Sequence, residues 1–124
     1  MTPTGSFALL IPVYNHANGV IPVIERAREL GLPIWVVDDG SIDGTAARLE
    51  KAGGITVIRH ERNRGKGAAL LTGFKALAGV ADWAVTLDAD GQHDPRDVPG
   101  LIRAIPDGLR PIVIGRREGM VGED

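Results

Sequence analysis

Apolar residues in this chain gather into short continuous runs, separated by longer stretches with helical spacing. Phe7 to Val13, Ile34 to Val37, Ile55 to Arg59, Trp83 to Leu87 and Ile112 to Ile114 are the runs, and they are rich in Val, Ile and Leu. Brief unalternated runs of this kind suit parallel strands that are covered on both faces. Between them, Val20 to Leu30, Thr45 to Lys51 and Lys66 to Leu77 read as helices. In the last of these, Ala69, Leu70, Phe74 and Leu77 recur at helical spacing, so one face can pack on a sheet. A fourth helix is expected from Asp94, with Pro95 in its first turn and Asp97 three residues past the cap. The order βαβαβαβαβ predicts an α/β fold: a doubly wound, mostly parallel sheet with helices on both faces.

The polar segments then acquire a place. Tyr14 and Asn15 follow the first strand, Asp38 to Ser41 the second, Arg62 to Gly67 the third and Asp88 to His93 the fourth. Doubly wound sheets bind ligands beyond the C-terminal strand edges, near the reversal of strand order. Four polar loops at those edges predict one cleft.

Composition narrows what the cleft can hold. The 124 residues suffice for one domain with a real core, and the formal charge of -2 argues against a nucleic-acid partner. Aromatic residues are 4% of the chain, too few for a base-stacking platform. Cysteine is absent, which removes disulfides, thiolate nucleophiles and Cys-type zinc sites. No apolar run approaches the roughly 18 residues that span a bilayer, and the N-terminus lacks the features of a signal peptide. The expectation is a cytoplasmic chain, working at the cytoplasmic membrane face in the complete protein.

Asp88-Ala89-Asp90 carries the strongest local chemistry. A turn at the strand end can aim both carboxylates at one hard cation, with Gln92 adding a neutral oxygen. Mg²⁺ or Mn²⁺ held in this way would also take diphosphate oxygens and neutralise a leaving group. The plainer alternative is a solvated acidic turn ahead of a helix cap. His93 reads as structural or as a ligand neighbour, and His60 as structural. Asp38-Asp39-Gly40-Ser41 can accept hydrogen bonds from a base or a ribose, or serve only as a turn, with Asp43 helping to start the next helix.

Asn63-Arg64-Gly65-Lys66-Gly67 precedes a helix whose N-terminus would favour an anion. It lacks the spacing of a Walker A loop, and no GxGxxG follows the first strand. Arg116 and Arg117 can grip phosphate or lie exposed. Tyr14 can lie against a nucleobase that Asn15 orients, or be an ordinary half-buried aromatic. Trp35 and Trp83 fall within strand patterns and read as core or sheet-face residues.

In combination the blocks Ile11-Pro12-Val13-Tyr14-Asn15, Val36 to Thr45, Asn63 to Gly67, Leu87 to His93 and Ile114 to Arg117 resemble the family 2 glycosyltransferases of GT-A fold. The likeness is strongest to the dolichyl-phosphate mannosyltransferase and polyprenyl-phosphate sugar transferase branch. It implies that Pro12, Tyr14 and Asp38 hold the nucleotide base, and that Asp39 and the loop from Arg64 to Lys66 lie near the nucleotide. It also implies that Asp88 and Asp90 form the catalytic Asp-x-Asp pair at the ribose and the metal, that Gln92 is a further metal-side ligand, and that Arg117 stands near the phosphates.

Two positions depart from the pattern: His16 stands where many relatives have Glu, and Arg116 where Ser is common. Residues 1–124 are therefore expected to form the nucleotide-sugar-binding portion of a catalytic domain that lacks its C-terminal acceptor half. The activity implied is inverting, metal-dependent transfer of a hexose from a UDP- or GDP-sugar to polyprenyl phosphate or a glycan. A sugar nucleotidyltransferase could share the cleft and the paired aspartates, but no Gly-rich, Arg-containing loop follows the first strand. A nucleotide-sugar-binding module without catalysis is the other alternative. An exposed sheet face could support a homodimer.

Overall fold

The computed structural model describes residues 6–89. The helix expected from Asp94 and the strand expected at Ile112 to Ile114 lie outside the described residues. So do Asp90, Gln92, His93, Arg116 and Arg117. The described chain runs β1 (Phe7–Val13), α1 (Val20–Ala27), β2 (Ile34–Asp38), α2 (Thr45–Lys51), β3 (Thr56–Arg59), α3 (Lys66–Leu77) and β4 (Trp83–Thr86). The helix expected through Leu30 tightens after Ala27 into a single 3-10 turn, Arg28–Leu30. Gly31 then adopts the left-handed conformation, φ 70°, and closes it. A glycine stop followed by Pro33 leaves the helix no means of continuing.

All four strands are parallel, in the order β3-β2-β1-β4. Alternation along β1 divides the core in two. Leu9, Ile11 and Val13 join Ile34, Val36, Val85 and Leu87 under α1 and α2, whose contributions include Val20, Val23, Ile24 and Leu49. Ala8 and Leu10 join Val37 and Ala84 under α3, where Ala69 and Leu77 meet them. β1, β2 and β4 are thus covered on both faces, as their unalternated runs require, whereas the edge strand β3 is largely exposed, with Val57 open to solvent. Each fully buried Leu, Ile or Val contributes about 1.5–3 kcal/mol to this arrangement. Trp83 is buried and its ring stacks on Phe7 with centroids 5.9 Å apart, while Trp35 is partly buried on the α3 side.

Ala69 and Gly73 put two small residues on the buried face of α3, so the helix lies close to the sheet there. A Cβ added at Gly73 would stand 2.6 Å from Leu10 Cδ2 and 3.0 Å from its Cγ. Leu10 is itself fully buried and has nowhere to swing. Gly73→Ala is expected to destabilise the protein by about 1–3 kcal/mol through overpacking, despite the better helix propensity of alanine. Urea unfolding checks this, and a variant as stable as the wild type would contradict the close helix–sheet approach.

Candidate functional site

From β1 the chain steps outward to β2 and β3, then returns to pair β4 on the other side of β1. The reversal of strand order therefore falls between β1 and β4, the position where doubly wound sheets open a crevice. Pro12 widens it. Leu9 N donates to Pro33 O on the β2 side, whereas Leu10 O accepts from Leu87 N on the β4 side. Two residues beyond Leu10, Pro12 shares that β4-facing edge but has no N–H to offer. The β1–β4 register ends at Leu10↔Thr86, while β1–β2 pairing continues to Val13↔Asp38.

A cavity of about 360 Å³ occupies the opening. Pro12, Val13, Tyr14 and His16 line it from the β1 side, Asp88 and Ala89 from β4, and Asp39, Asn63, Lys66 and Ala69 from the β2 and β3 loops with the start of α3. Tyr14 is 44% exposed at this edge, an amphipathic ring with one side available to a ligand.

The loops are bonded to one another in series. Asn15 N donates to Ser41 Oγ (2.8 Å), and Ile42 N donates back to Asn15 Oδ1 (2.8 Å). His16 N donates to Thr45 Oγ1 (3.0 Å), and Ala17 N to Asp43 Oδ2 (3.1 Å). Asn15 takes a positive φ of 51°, which Asn tolerates better than most residues. Asp43 also accepts from Thr45 N (3.0 Å) and Thr45 Oγ1 (2.5 Å), so it starts α2 while holding the first loop. The Thr45 hydroxyl is the main reason that the Asp43 carboxyl titrates below its ordinary range.

Asp39 joins the second loop to the third. Its Oδ1 accepts from His60 Nδ1 (2.7 Å) and Arg64 N (2.9 Å). Its Oδ2 accepts from Gly65 N (2.8 Å) and Asn63 Nδ2 (3.0 Å). His60 Nε2 lies 2.8 Å from Thr72 Oγ1 on α3, so both ring nitrogens are engaged. Burial is the largest influence on Asp39 and pushes its carboxyl up. The hydrogen bonds from His60, Arg64 and Gly65, with the charge of His60, outweigh it and leave the group below its ordinary value. Gly40 permits the close approach. A Cβ there would lie 2.5 Å from Asn63 N, and its φ of 77° is one that side chains avoid.

Lys66 Nζ completes the series by donating to Asp88 Oδ1 at 2.8 Å, across from the third loop to the fourth.

The sequence-derived candidates therefore separate. Pro12, Tyr14, Asp39, Lys66 and Asp88 line one cavity. Asn15 bonds the first two loops together and is not among the lining residues. Asp38 is fully buried: Oδ1 accepts from Ser41 N at 3.0 Å, and Oδ2 has no hydrogen-bond partner among the described residues. A ligand reaches that oxygen only if the loop moves. Asp90, Gln92 and Arg117 lie outside the described residues. Just ahead of α3, Asp39 takes the N–H groups of Arg64 and Gly65, so an internal carboxylate already stands beside the helix N-terminus where an anion is expected. His60 is structural, with Asp39 and Thr72 as partners that sequence spacing could not reveal. His16, Asn63 and Ala89 also line the cavity and had not been singled out as ligand contacts. Of these, Asn63 and Ala89 stand within the blocks Asn63 to Gly67 and Leu87 to His93.

Comparison with known proteins agrees with the fold. The profile of glycosyl transferase family 2 matches residues 8–123. The chain is 37% identical over 117 residues to a dolichol-phosphate mannosyltransferase from Pyrococcus furiosus, covering 89% of this chain and 32% of that protein. It is 33% identical over 127 residues to a UDP-N-acetylglucosamine–dolichyl-phosphate N-acetylglucosaminyltransferase from Methanococcus voltae, covering 88% and 51% respectively. An undecaprenyl-phosphate 4-deoxy-4-formamido-L-arabinose transferase from Serratia proteamaculans is 33% identical over 117 residues, covering 86% and 35%. The chain thus spans between 32% and 51% of the lengths of these relatives.

Asp39→Asn replaces an acceptor by an amide that faces several donors, and is expected to cost on the order of 3 kcal/mol near neutral pH. Because the folded-state pKa of Asp39 is depressed, its contribution is present above the unfolded carboxylate value. It is lost as pH falls through the folded value. The stability gap between wild type and variant should therefore narrow below about pH 4. Urea unfolding across pH reads the gap, and a constant difference would contradict the role given to the charge.

Proposed function

The chain belongs to glycosyl transferase family 2, and from that premise we propose that it holds the donor of an enzyme that glycosylates a polyprenyl phosphate. The observation that carries this reading is the meeting of Lys66 and Asp88 at 2.8 Å inside the cavity at the β1–β4 opening. A cation and a carboxylate at that place suit a ligand whose own charges are a diphosphate and an accompanying metal. Three similar proteins are named for transfer to a dolichol, dolichyl or undecaprenyl phosphate, and one for a UDP-sugar donor.

In this reading Tyr14 and Pro12 flank the nucleobase, and Asp38 and Asn15 belong to the wall behind it. Lys66 binds a diphosphate oxygen, joined by Arg117. Asp88, Asp90 and Gln92 would hold Mg²⁺ or Mn²⁺. The fit rests on Asp88, a hard oxygen donor that lines the cavity and already accepts a cationic group from that side. Such an ion, when bound, neutralises charge that accumulates on the departing diphosphate.

The reaction is a displacement. An oxygen of the acceptor phosphate forms a bond to the anomeric carbon as the bond from that carbon to the diphosphate breaks, with inversion. The acceptor is already anionic, so no protein base has to remove a proton. The UDP or GDP leaves with the electron pair. A lipid-phosphate acceptor places the complete protein at a membrane face; among the described residues, no helix is long and apolar enough to cross a membrane.

Calorimetric titration with UDP and with GDP, each with and without Mn²⁺, tests the donor site. One nucleotide is expected to bind in a metal-dependent manner, and Asp88→Asn to weaken that metal-dependent binding by on the order of tenfold or more. Failure of both nucleotides to bind would remove the basis for the proposal.

A further inference from the structure

Lys66 and Asp88 also bear on how the binding of one ligand affects that of another. Lys66 is the first residue of α3, directly after the Gly65 whose N–H is fixed on Asp39. The root of its side chain is therefore held by the loop network, while the side chain itself is about half exposed. Asp88 is more sheltered, at 18% exposure. Of the cavity-lining carboxylates, Asp39 is taken up by four internal donors. Asp88 is the one left to face the cavity, and an ammonium group already sits on it at 2.8 Å.

Resting on the donor-site reading above, we propose that the Lys66 ammonium acts as a built-in counter-ion at the metal position of the nucleotide-free protein, so that metal and nucleotide bind interdependently. A divalent cation approaching Asp88 meets a positive charge already bonded to the oxygen it needs. It must displace that group or share the carboxylate against like-charge repulsion. A nucleoside diphosphate changes the balance, because its phosphate oxygens offer Lys66 another anion and give the metal further oxygen ligands. Lys66 can turn from Asp88 to the diphosphate without moving its backbone. Each ligand then improves the site for the other, by the same factor in both directions. In the nucleotide-free state Lys66 lowers the net negative charge around Asp88, so that free metal is held weakly.

The test is titration of the purified protein with Mn²⁺, reading free ion by electron paramagnetic resonance, without nucleotide and at saturating UDP or GDP. Lys66→Met removes the ammonium and keeps the length and packing of the stem; Lys66→Arg keeps a cation. The Met variant is expected to bind Mn²⁺ about fivefold more tightly than wild type without nucleotide, the scale set by a partly exposed ion pair. It should also show a smaller enhancement of Mn²⁺ affinity by nucleotide, while the Arg variant stays near wild type on both counts. Equal or weaker Mn²⁺ binding by the Met variant without nucleotide would overturn the counter-ion role. If wild type and variants fail to bind Mn²⁺ even with nucleotide present, the metal site itself falls, and this inference with it.

Discussion

The described architecture depends on one buried carboxylate. Asp39 is 2% exposed and carries four hydrogen-bond donors, two of them backbone N–H groups from the loop ahead of α3. Without those donors, burying an ionised carboxylate would be prohibitive. With them, the charge becomes the reason that the third loop lies where it does. The consequence reaches the cavity in one covalent step, since Lys66 follows Gly65. The first and second loops are tied in the same manner, by polar side chains of one segment gripping the main chain of the other, whereas the fourth is joined to the third by the Lys66–Asp88 side-chain pair. The cavity is therefore walled by segments whose relative positions are set before a ligand arrives, which reduces the ordering cost of binding.

Much of this was legible in the chain, and what was hidden shares a physical cause. Element type and bounds followed from unbroken apolar runs and helical spacing; for β1, β2 and β4 the cause is burial between two helical layers, whereas β3 is a largely exposed edge strand that shows the same kind of run without that cover. α2 and α3 agree residue for residue with the expectation. The differences in β2, β3 and β4 are single residues at strand ends, where pairing partners decide. At β4 the deciding partner is Pro12, whose missing N–H ends a ladder that composition alone would have continued to Leu87.

The polar network was not legible to the same degree. The Asp38-Asp39 pair looks like two equivalent carboxylates in sequence. Successive strand residues face opposite ways, so one turns into the bond with Ser41 and the other toward His60 and the third loop. Likewise, nothing in the spacing of His60 and Asp39 announces that β2 and β3 are neighbours in register at Asp38↔Arg59. Motif blocks indicate where polar residues gather. Which of them touch a ligand and which hold the loops is settled by strand pairing, a long-range property.

The grip of Asp39 on Arg64 and Gly65 is a grip on their amides, and Arg64 contributes no side-chain atom to it. Every amino acid except proline carries that amide. The side chain at position 64 can therefore be exchanged with little effect on the position of the loop, and the cleft's rim can change charge or reach while its scaffold stays put. A fold wired in this way separates the inheritance of shape from the inheritance of selectivity. New ligand preferences can then arise by single substitutions in a loop that goes on folding as before.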